Sequence, residues 1–200
     1  MKKNMSTDCV HAGEERYKPY DSITTPIIQS STFVFKNSED VRKFTQENHF
    51  RYEYGRYGNP TQRAAEKKLA QLEGAESAVL FASGMSAIIN TLLAILRAGD
   101  HMIITDDAYG KTLSFVKAWL PKWGIESTVV KMGDYEAIEK AMKSNTRLFF
   151  SESPTNPYMN IMDFSKLKEI RKKFPDMLVI SDSTFATPYN QRPLELGADI

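Results

Sequence analysis

The chain has 200 residues, of which 42% are hydrophobic and 26% are charged, and its formal net charge is +1. This composition is typical of a globular protein with a sizeable core, and the small net charge gives no indication of a nucleic-acid or membrane partner. The single cysteine, Cys9, excludes an intrachain disulfide, and the three scattered histidines (His11, His49 and His101) show no metal-ligand spacing.

The N-terminal 55 residues are polar and turn-rich. Their apolar residues occur only in short pieces, of which the longest is TTPIIQSSTFVF at 24–35. We therefore interpret residues 1–55 as an extended arm. Such an arm needs a surface to lie on, either on its own domain or on another subunit.

A regular alternation of helices and strands follows this arm. Asn59 and Pro60 are suited to the N-cap and the first position of a helix that ends at Gly74. The elements predicted after it are strand 77–82, helix 86–99, strand 101–105, helix 111–124, strand 127–132, helix 134–144, strand 147–151, helix 163–174 and a buried strand from 177 to 180. Strands joined by crossover helices predict an α/β fold with a mainly parallel sheet and helices on both faces.

Candidate functional residues follow four of the predicted strands. In a parallel α/β sheet, ligands bind beyond the carboxyl ends of the strands, so these residues converge on one edge. In chain order they are Ser83, Gly84 and Met85, then Tyr109, then Glu152 and Asn156, and finally Asp182.

Each of these signals has an ordinary structural explanation when it is taken alone: a turn, packing, or, for Asp182, an N-cap. Together they suit a flat, phosphorylated, cationic heteroaromatic ring. The Ser83–Met85 turn opens a helix and would hold phosphate, Tyr109 would stack, and Asp182 would pair with a protonated ring nitrogen. The fingerprints GxGxxG, GxxxxGK[ST] and GxSxG are absent, which argues against a dinucleotide, a P-loop nucleotide and an acyl-transfer serine.

Five motifs carry a family resemblance across the whole chain. They are YEYGRYGNPT (52–61), ASGMSA (82–87), ESPTNP (152–157), DSTFATP (182–188) and LGADI (196–200). In these motifs the chain resembles the Cys/Met-metabolism enzymes that depend on pyridoxal 5'-phosphate (PLP), a branch of fold type I. The first motif and FATPYNQ are most similar to cystathionine γ-synthases, particularly the plant-type sequences.

The resemblance implies the fold-type I large domain over residues 56–200, incomplete at its C-terminal end, with the C-terminal domain absent. Residues 1–55 would reach the neighbouring subunit of a homo-oligomer, which is at least a dimer and usually a tetramer. The family's Schiff-base lysine lies in a motif that the chain does not contain. We therefore expect these residues to belong to a longer enzyme; the alternative is a non-catalytic fragment that binds a partner.

The resemblance also implies a cofactor role for nine residues. Tyr54 and Arg56 would reach the PLP phosphate of a neighbouring subunit. The others would act on PLP in their own subunit: Ser83, Gly84 and Met85 as the phosphate cradle, Tyr109 as the stacking ring, Asn156 near the ring hydroxyl, Asp182 at the pyridine nitrogen, and Thr184 beside it. Tyr109 and Asp182 are the catalytic candidates, and Glu152 receives no role.

The implied reaction is γ-replacement on an activated homoserine ester by cysteine, which gives cystathionine for methionine biosynthesis. Methionine γ-lyase, cystathionine β-lyase and O-acylhomoserine sulfhydrylase activities are alternatives within the same family. We expect amino-acid substrates, no metal, no nucleic acid and no membrane. A cytoplasmic location is expected because the N-terminus lacks the apolar core of a signal peptide and no stretch approaches ~20 apolar residues.

Overall fold

The computed structural model describes residues 5–47 and 51–200, and these divide into two compact units, residues 1–80 and 81–200. His49, one of the three scattered histidines, lies outside the described residues. The predicted domain boundary at residues 55/56 falls within the first unit and stays a prediction.

The first unit contains three α-helices within its described residues: α1 (Met5–His11), α2 (Ser38–Gln46) and α3 (Pro60–Glu73), with a 3-10 turn at Pro19–Asp21. The sequence pattern predicted α3 but not α1 or α2. In α2 the Asn37 side chain accepts a hydrogen bond from the Asp40 N–H at 2.9 Å and caps the helix. The cap marks the start of α2, although the apolar residues of this segment are too sparse to predict a helix.

The predicted ends of α3 are confirmed. Asn59 accepts a hydrogen bond from the Thr61 N–H at 2.8 Å, and Gly74 ends the helix with a left-handed φ of 70°. Asn59 also donates to the Ile28 carbonyl at 2.8 Å, and the Ile28 N–H donates to the Thr61 hydroxyl at 2.8 Å. These bonds hold the first residues of α3 against the preceding segment.

The second unit contains a sheet and its crossover helices. Its elements are α4 (Gly84–Ile95), β1 (His101–Thr105), α5 (Gly110–Ala118), a 3-10 turn (Leu120–Trp123), β2 (Glu126–Val130), α6 (Tyr135–Lys140), β3 (Thr146–Glu152), α7 (Phe164–Lys173), β4 (Leu178–Asp182), α8 (Thr187–Asn190) and α9 (Pro193–Leu196). Over the described ranges, no helix has the length and apolar character needed to cross a membrane.

The four strands are parallel and lie in the order β2-β1-β3-β4, which confirms the predicted α/β architecture. Alternate residues face opposite sides of the sheet. Ile104 and Phe150 pack into one core with residues of α4 and α5, whereas Ile103 and Phe149 pack into a second core with residues of α6 and α7. Helices therefore cover both faces, as predicted.

The predicted buried strand at 77–82 is wrong. The structure has no strand there, and Val79 and Leu80 are 70% and 44% exposed. The apolar composition of this stretch suits a strand, but a strand also requires a neighbouring strand for its backbone hydrogen bonds. No strand of the described residues pairs with this segment, so its composition alone does not produce one.

Candidate active site

The carboxyl edge of the sheet contains the point where the strand order reverses. From β1 the chain crosses to β2 on one side and then returns past β1 to β3 on the other. Crevices at such switch points are the usual ligand sites of open α/β sheets. Tyr109 and Asn156 lie in the loops after β1 and β3, and Asp182 is the last residue of β4, so the structure brings these three predicted residues to the same edge.

The first turn of α4 is suited to an anion. The Ser83 hydroxyl accepts from the Ser86 N–H at 3.1 Å and the Ser83 carbonyl accepts from the Ala87 N–H at 3.0 Å. The N–H groups of Gly84 and Met85 have no acceptor in the part of the chain that the structure describes. A Cβ atom added at Gly84 would meet nothing within 4 Å, so the space in front of this turn is open.

Tyr109 stands at the start of α5 and its side chain is 51% exposed. The Thr112 hydroxyl, one turn further along α5, contacts the Met85 sulfur at 3.6 Å. This contact joins the first turns of α4 and α5. The open turn at Gly84 and the exposed ring of Tyr109 therefore belong to neighbouring helix ends.

Glu152, the last residue of β3, is buried, with 3% of its surface exposed. Its Oε2 atom accepts a hydrogen bond from the Tyr109 N–H at 2.7 Å, and the nearby Asn156 N–H is a second donor that stabilises the charged carboxylate. Burial raises the pKa of Glu152, and the negative charges of Asp182 and Asp107 add to that increase. The two N–H donors oppose it without cancelling it.

Asp182 is the last residue of β4, and its Cα pairs with that of Glu152 across the two strands. Its Oδ1 atom accepts from the Thr184 N–H at 3.1 Å and from the Thr184 hydroxyl at 2.6 Å. These bonds fix the orientation of the carboxylate. They also account for the N-cap pattern that the sequence shows at Asp182. The Oδ2 atom has no hydrogen-bond donor among the described residues.

This edge combines carboxyl groups without a compensating cation. No Lys, Arg or His of the described ranges forms a salt bridge with Asp107, Glu152 or Asp182. No group of three or more metal-ligating side chains occurs in residues 5–47 and 51–200. Carboxyl groups held close together favour a positively charged ligand beside them.

Tyr54 and Arg56 belong to the first unit. Both are exposed, and the Arg56 guanidinium lies 5.3 Å from the centre of the Tyr54 ring and 5.6 Å from that of Tyr57. Arg56 forms no salt bridge with any residue that the structure describes. Its five N–H donors therefore remain able to bind an anionic group such as a phosphate.

A family model described as Cys/Met metabolism PLP-dependent enzyme matches residues 6–200. The chain belongs to this family. The match confirms the resemblance inferred from the five motifs. It also confirms PLP as the cofactor on which the family depends.

Curated relatives with different activities match at similar identity. The chloroplastic cystathionine gamma-synthase 1 of Nicotiana tabacum is 43% identical over 194 residues, which cover 96% of this chain and 36% of that protein. The L-methionine gamma-lyase of Fusobacterium nucleatum subsp. nucleatum is 42% identical over 202 residues, which cover 100% of this chain and 51% of that protein. The cystathionine gamma-lyase of Bacillus subtilis is 39% identical.

Solved structures share the fold. The metB structure from Corynebacterium glutamicum aligns with a TM-score of 0.89 and 40% identity over 98% of this chain and 49% of that one. A putative O-acetylhomoserine (thiol)-lyase (metY) from Campylobacter jejuni, which carries N'-pyridoxyl-lysine-5'-monophosphate, aligns with a TM-score of 0.91, 30% identity and coverage of 99% and 49%. The chain thus spans about half the length of these two structures.

Sequence reasoning gave no role to two residues that the structure places at this edge, Glu152 and Asp107. Asp107 is one of the charges that raise the Glu152 pKa, and its Oδ2 accepts a hydrogen bond from the Asn160 side chain at 3.1 Å. A signal for Glu152 existed: it ends an apolar strand, as Asp182 does. Its contact with the Tyr109 backbone could not be predicted, because 43 residues separate the two.

Proposed function

We propose that the full-length protein is a PLP-dependent transsulfuration enzyme of the cystathionine γ-synthase type, which joins cysteine to an activated homoserine ester. The observation that carries the PLP site is the Asp182 carboxylate, which is oriented by Thr184 and lacks a cationic partner among the described residues. A protonated pyridine nitrogen supplies that missing charge. The open turn at Gly84 and the exposed ring of Tyr109 fit the phosphate and the flat ring of the same cofactor.

Each residue has a distinct task in this proposal. When bound, PLP supplies an electron sink for substrate carbanions. Asp182 keeps a proton on the ring nitrogen, the Gly84 and Met85 N–H groups bind phosphate with Ser83 and Thr184 bracing the two loops, and Tyr109 orients the ring. The Asn156 side chain, exposed beside Pro157, would bind the ring hydroxyl and the substrate carboxylate.

The choice of cystathionine synthesis over the other reactions of the family rests on the motifs YEYGRYGNPT and FATPYNQ and on the 43% identity to the Nicotiana tabacum synthase. Methionine γ-lyase, cystathionine β-lyase and O-acylhomoserine sulfhydrylase activities are the alternatives. The relative from Fusobacterium nucleatum, at 42% identity, supports methionine γ-lyase as the nearest of them. We propose a cytoplasmic enzyme of methionine biosynthesis.

The test is a substrate panel on the full-length native protein loaded with PLP. We expect cystathionine from homoserine esters plus cysteine, at a rate well above the release of α-ketobutyrate from methionine. Dominant α-ketobutyrate release would replace the synthase assignment with a γ-lyase. Absence of PLP binding, measured by absorbance and by borohydride reduction with mass spectrometry, would refute the proposal as a whole and favour a partner-binding fragment.

We also propose that the N-terminal arm completes the site of a neighbouring subunit in a homo-oligomer, with at least a dimer as the functional unit and a tetramer as the whole. Arg56, exposed and without a salt-bridge partner among the described residues, would bind the phosphate there together with Tyr54. Several apolar side chains of the same unit are also exposed, including Tyr17 (85%), Tyr20 (94%) and Ile23 (91%). An exposed apolar surface of this kind is typical of a protein–protein interface.

Hybrid oligomers test this sharing directly. Arg56→Ala and Asp182→Asn each inactivate the protein in our proposal, but coexpression of the two should restore about a quarter of native turnover in a random dimer mixture. The reason is that half of the dimers are hybrids, and each hybrid contains one site with both Asp182 and a donated Arg56. Coexpression without recovery would place Arg56 in the site of its own subunit or outside the site.

A further inference from the structure

Glu152 is the buried acidic residue of the second unit that the proposed function leaves without a task. A buried charged group usually pairs with a cation, and Glu152 has no such partner in the described part of the chain. Its carboxyl group instead accepts a hydrogen bond from the Tyr109 N–H at 2.7 Å, and the nearby Asn156 N–H is a second donor that stabilises its charged form. Those two residues are candidates for contact with PLP, and each belongs to a different loop of the carboxyl edge.

The position of Glu152 in the sheet explains how one side chain reaches both loops. It is the last residue of β3, which lies between β1 and β4. Tyr109 comes from the loop after β1, and its N–H lies 2.7 Å from Glu152 Oε2. Asn156 comes from the loop after β3 itself. The carboxyl group therefore links the two loops on either side of the switch point.

The carboxyl groups of Asp182 and Glu152 have different hydrogen-bond donors. Asp182 has one oxygen bound by Thr184, while its Oδ2 atom has no donor among the described residues. Glu152 receives backbone donors, and it is more deeply buried than the half-buried Asp182. Asp182 is thus available to a ligand, whereas Glu152 is engaged by the protein.

We propose that Glu152 is a positioning residue for the cofactor, which holds the backbones of Tyr109 and Asn156 where their side chains contact PLP. This inference rests on the proposed function. The proposal predicts that loss of the Glu152 carboxyl group changes the affinity for PLP and the environment of the bound PLP, in addition to any change in the stability of the fold. A purely structural Glu152 would change stability alone.

The experiment compares Glu152→Ala and Glu152→Gln with the parent in the full-length native protein. The readouts are the PLP dissociation constant, the circular dichroism of the bound PLP absorption band, and the melting temperature of the PLP-free protein. We expect Glu152→Ala to weaken PLP binding at least about tenfold, because the Tyr109 and Asn156 backbones lose the acceptor that holds them. Glu152→Gln keeps one acceptor oxygen, so its weakening should be smaller, about threefold.

Thr146→Val is the matched control, because Thr146 is a buried polar residue at the opposite end of the same strand. It should lower the melting temperature while leaving the PLP dissociation constant and the dichroism of the cofactor band unchanged. If Glu152→Ala does not fold, Glu152→Gln carries the test, since it is nearly isosteric with the parent side chain.

The inference is overturned if a folded Glu152 variant binds PLP with parental affinity and dichroism, or if it changes them no more than Thr146→Val does. In either case the parent and Asp182→Asn would still bind PLP, so the proposed function would stand. A parent protein that binds no PLP would overturn the proposed function, and the role of Glu152 along with it.

Discussion

The two ends of the parallel sheet bury polar groups in opposite ways. At the amino end, His101 is fully buried and each ring nitrogen has a hydroxyl partner, Thr146 at 2.7 Å and Thr128 at 2.9 Å. At the carboxyl end, carboxyl groups of three residues gather without a cation from the described ranges. The protein's own hydroxyl groups satisfy the buried histidine at the amino end. The carboxyl end lacks a counter-charge among the described residues, and in the proposed function the bound PLP would supply it.

Unsatisfied atoms support the same contrast. The buried side-chain oxygens that have no hydrogen-bond partner, among the residues that the structure describes, are Asp107 Oδ1, Ser181 Oγ and Ser183 Oγ. All three lie at or next to the carboxyl edge. Buried polar atoms without partners are costly, and proteins retain them mainly at functional sites.

The largest effect should come from Asp182→Asn at the carboxyl end. The amide keeps an oxygen that can accept the Thr184 hydrogen bonds, but it removes the negative charge that, in the proposed function, holds a proton on the pyridine nitrogen. We expect the full-length protein to retain some PLP and the parental melting temperature, while turnover falls on the order of a thousandfold. Steady-state kinetics on PLP-saturated enzyme measure this loss, and near-parental turnover would reduce Asp182 to a loop cap.

The second effect should come from Thr146→Val at the amino end. The Thr146 hydroxyl contacts His101 and accepts the Lys143 N–H at 2.8 Å, so its removal leaves buried polar groups unpaired. We expect a loss of about 1–3 kcal/mol in the free energy of unfolding. Urea unfolding measures the loss. An unchanged stability, or a changed PLP affinity, would break the division between a structural and a functional end.

The smallest expected effect is on the pH dependence of the free energy of unfolding. This dependence should have opposite signs for His101 at the amino end and Glu152 at the carboxyl end. Burial lowers the pKa of His101 below its ordinary value of 6.5. The contribution of His101 to the free energy of unfolding is therefore complete above pH 6.5 and is lost as the pH falls through the folded-state pKa. Burial raises the pKa of Glu152 above its ordinary value of 4.5. The contribution of Glu152 to the free energy of unfolding is therefore complete below pH 4.5 and is lost as the pH rises through the folded-state pKa.

Two glutamine variants isolate these contributions. Urea unfolding of the PLP-free protein should show that the stability gap between the parent and His101→Gln narrows as the pH falls below 6.5. The gap between the parent and Glu152→Gln should narrow, or reverse, as the pH rises above 4.5. The same sign of pH dependence in both pairs would contradict the buried environments described for these groups.

Much of this organisation was predictable from local patterns. The helix ends at Asn59 and Gly74 are confirmed, and so is the alternation that gives a parallel sheet with two covered faces. These features depend on residues close in sequence and on hydrophobic periodicity. The prediction of a strand at 77–82 was wrong for the opposite reason. A strand depends on a partner strand that can lie far away in the chain, and local composition does not reveal that partner.

The sequence alone was sufficient to recognise the family and its dependence on PLP, because five motifs of the family occur together along the chain. It also supplied the candidate site residues, whose roles stay predictions. The tertiary structure was needed to show which of these groups are in contact. The contact between Glu152 and the Tyr109 backbone, and the pairing of Glu152 with Asp182, follow from the strand order β2-β1-β3-β4. Strand order is set by the packing of all the crossover helices together, so no single stretch of the chain encodes it.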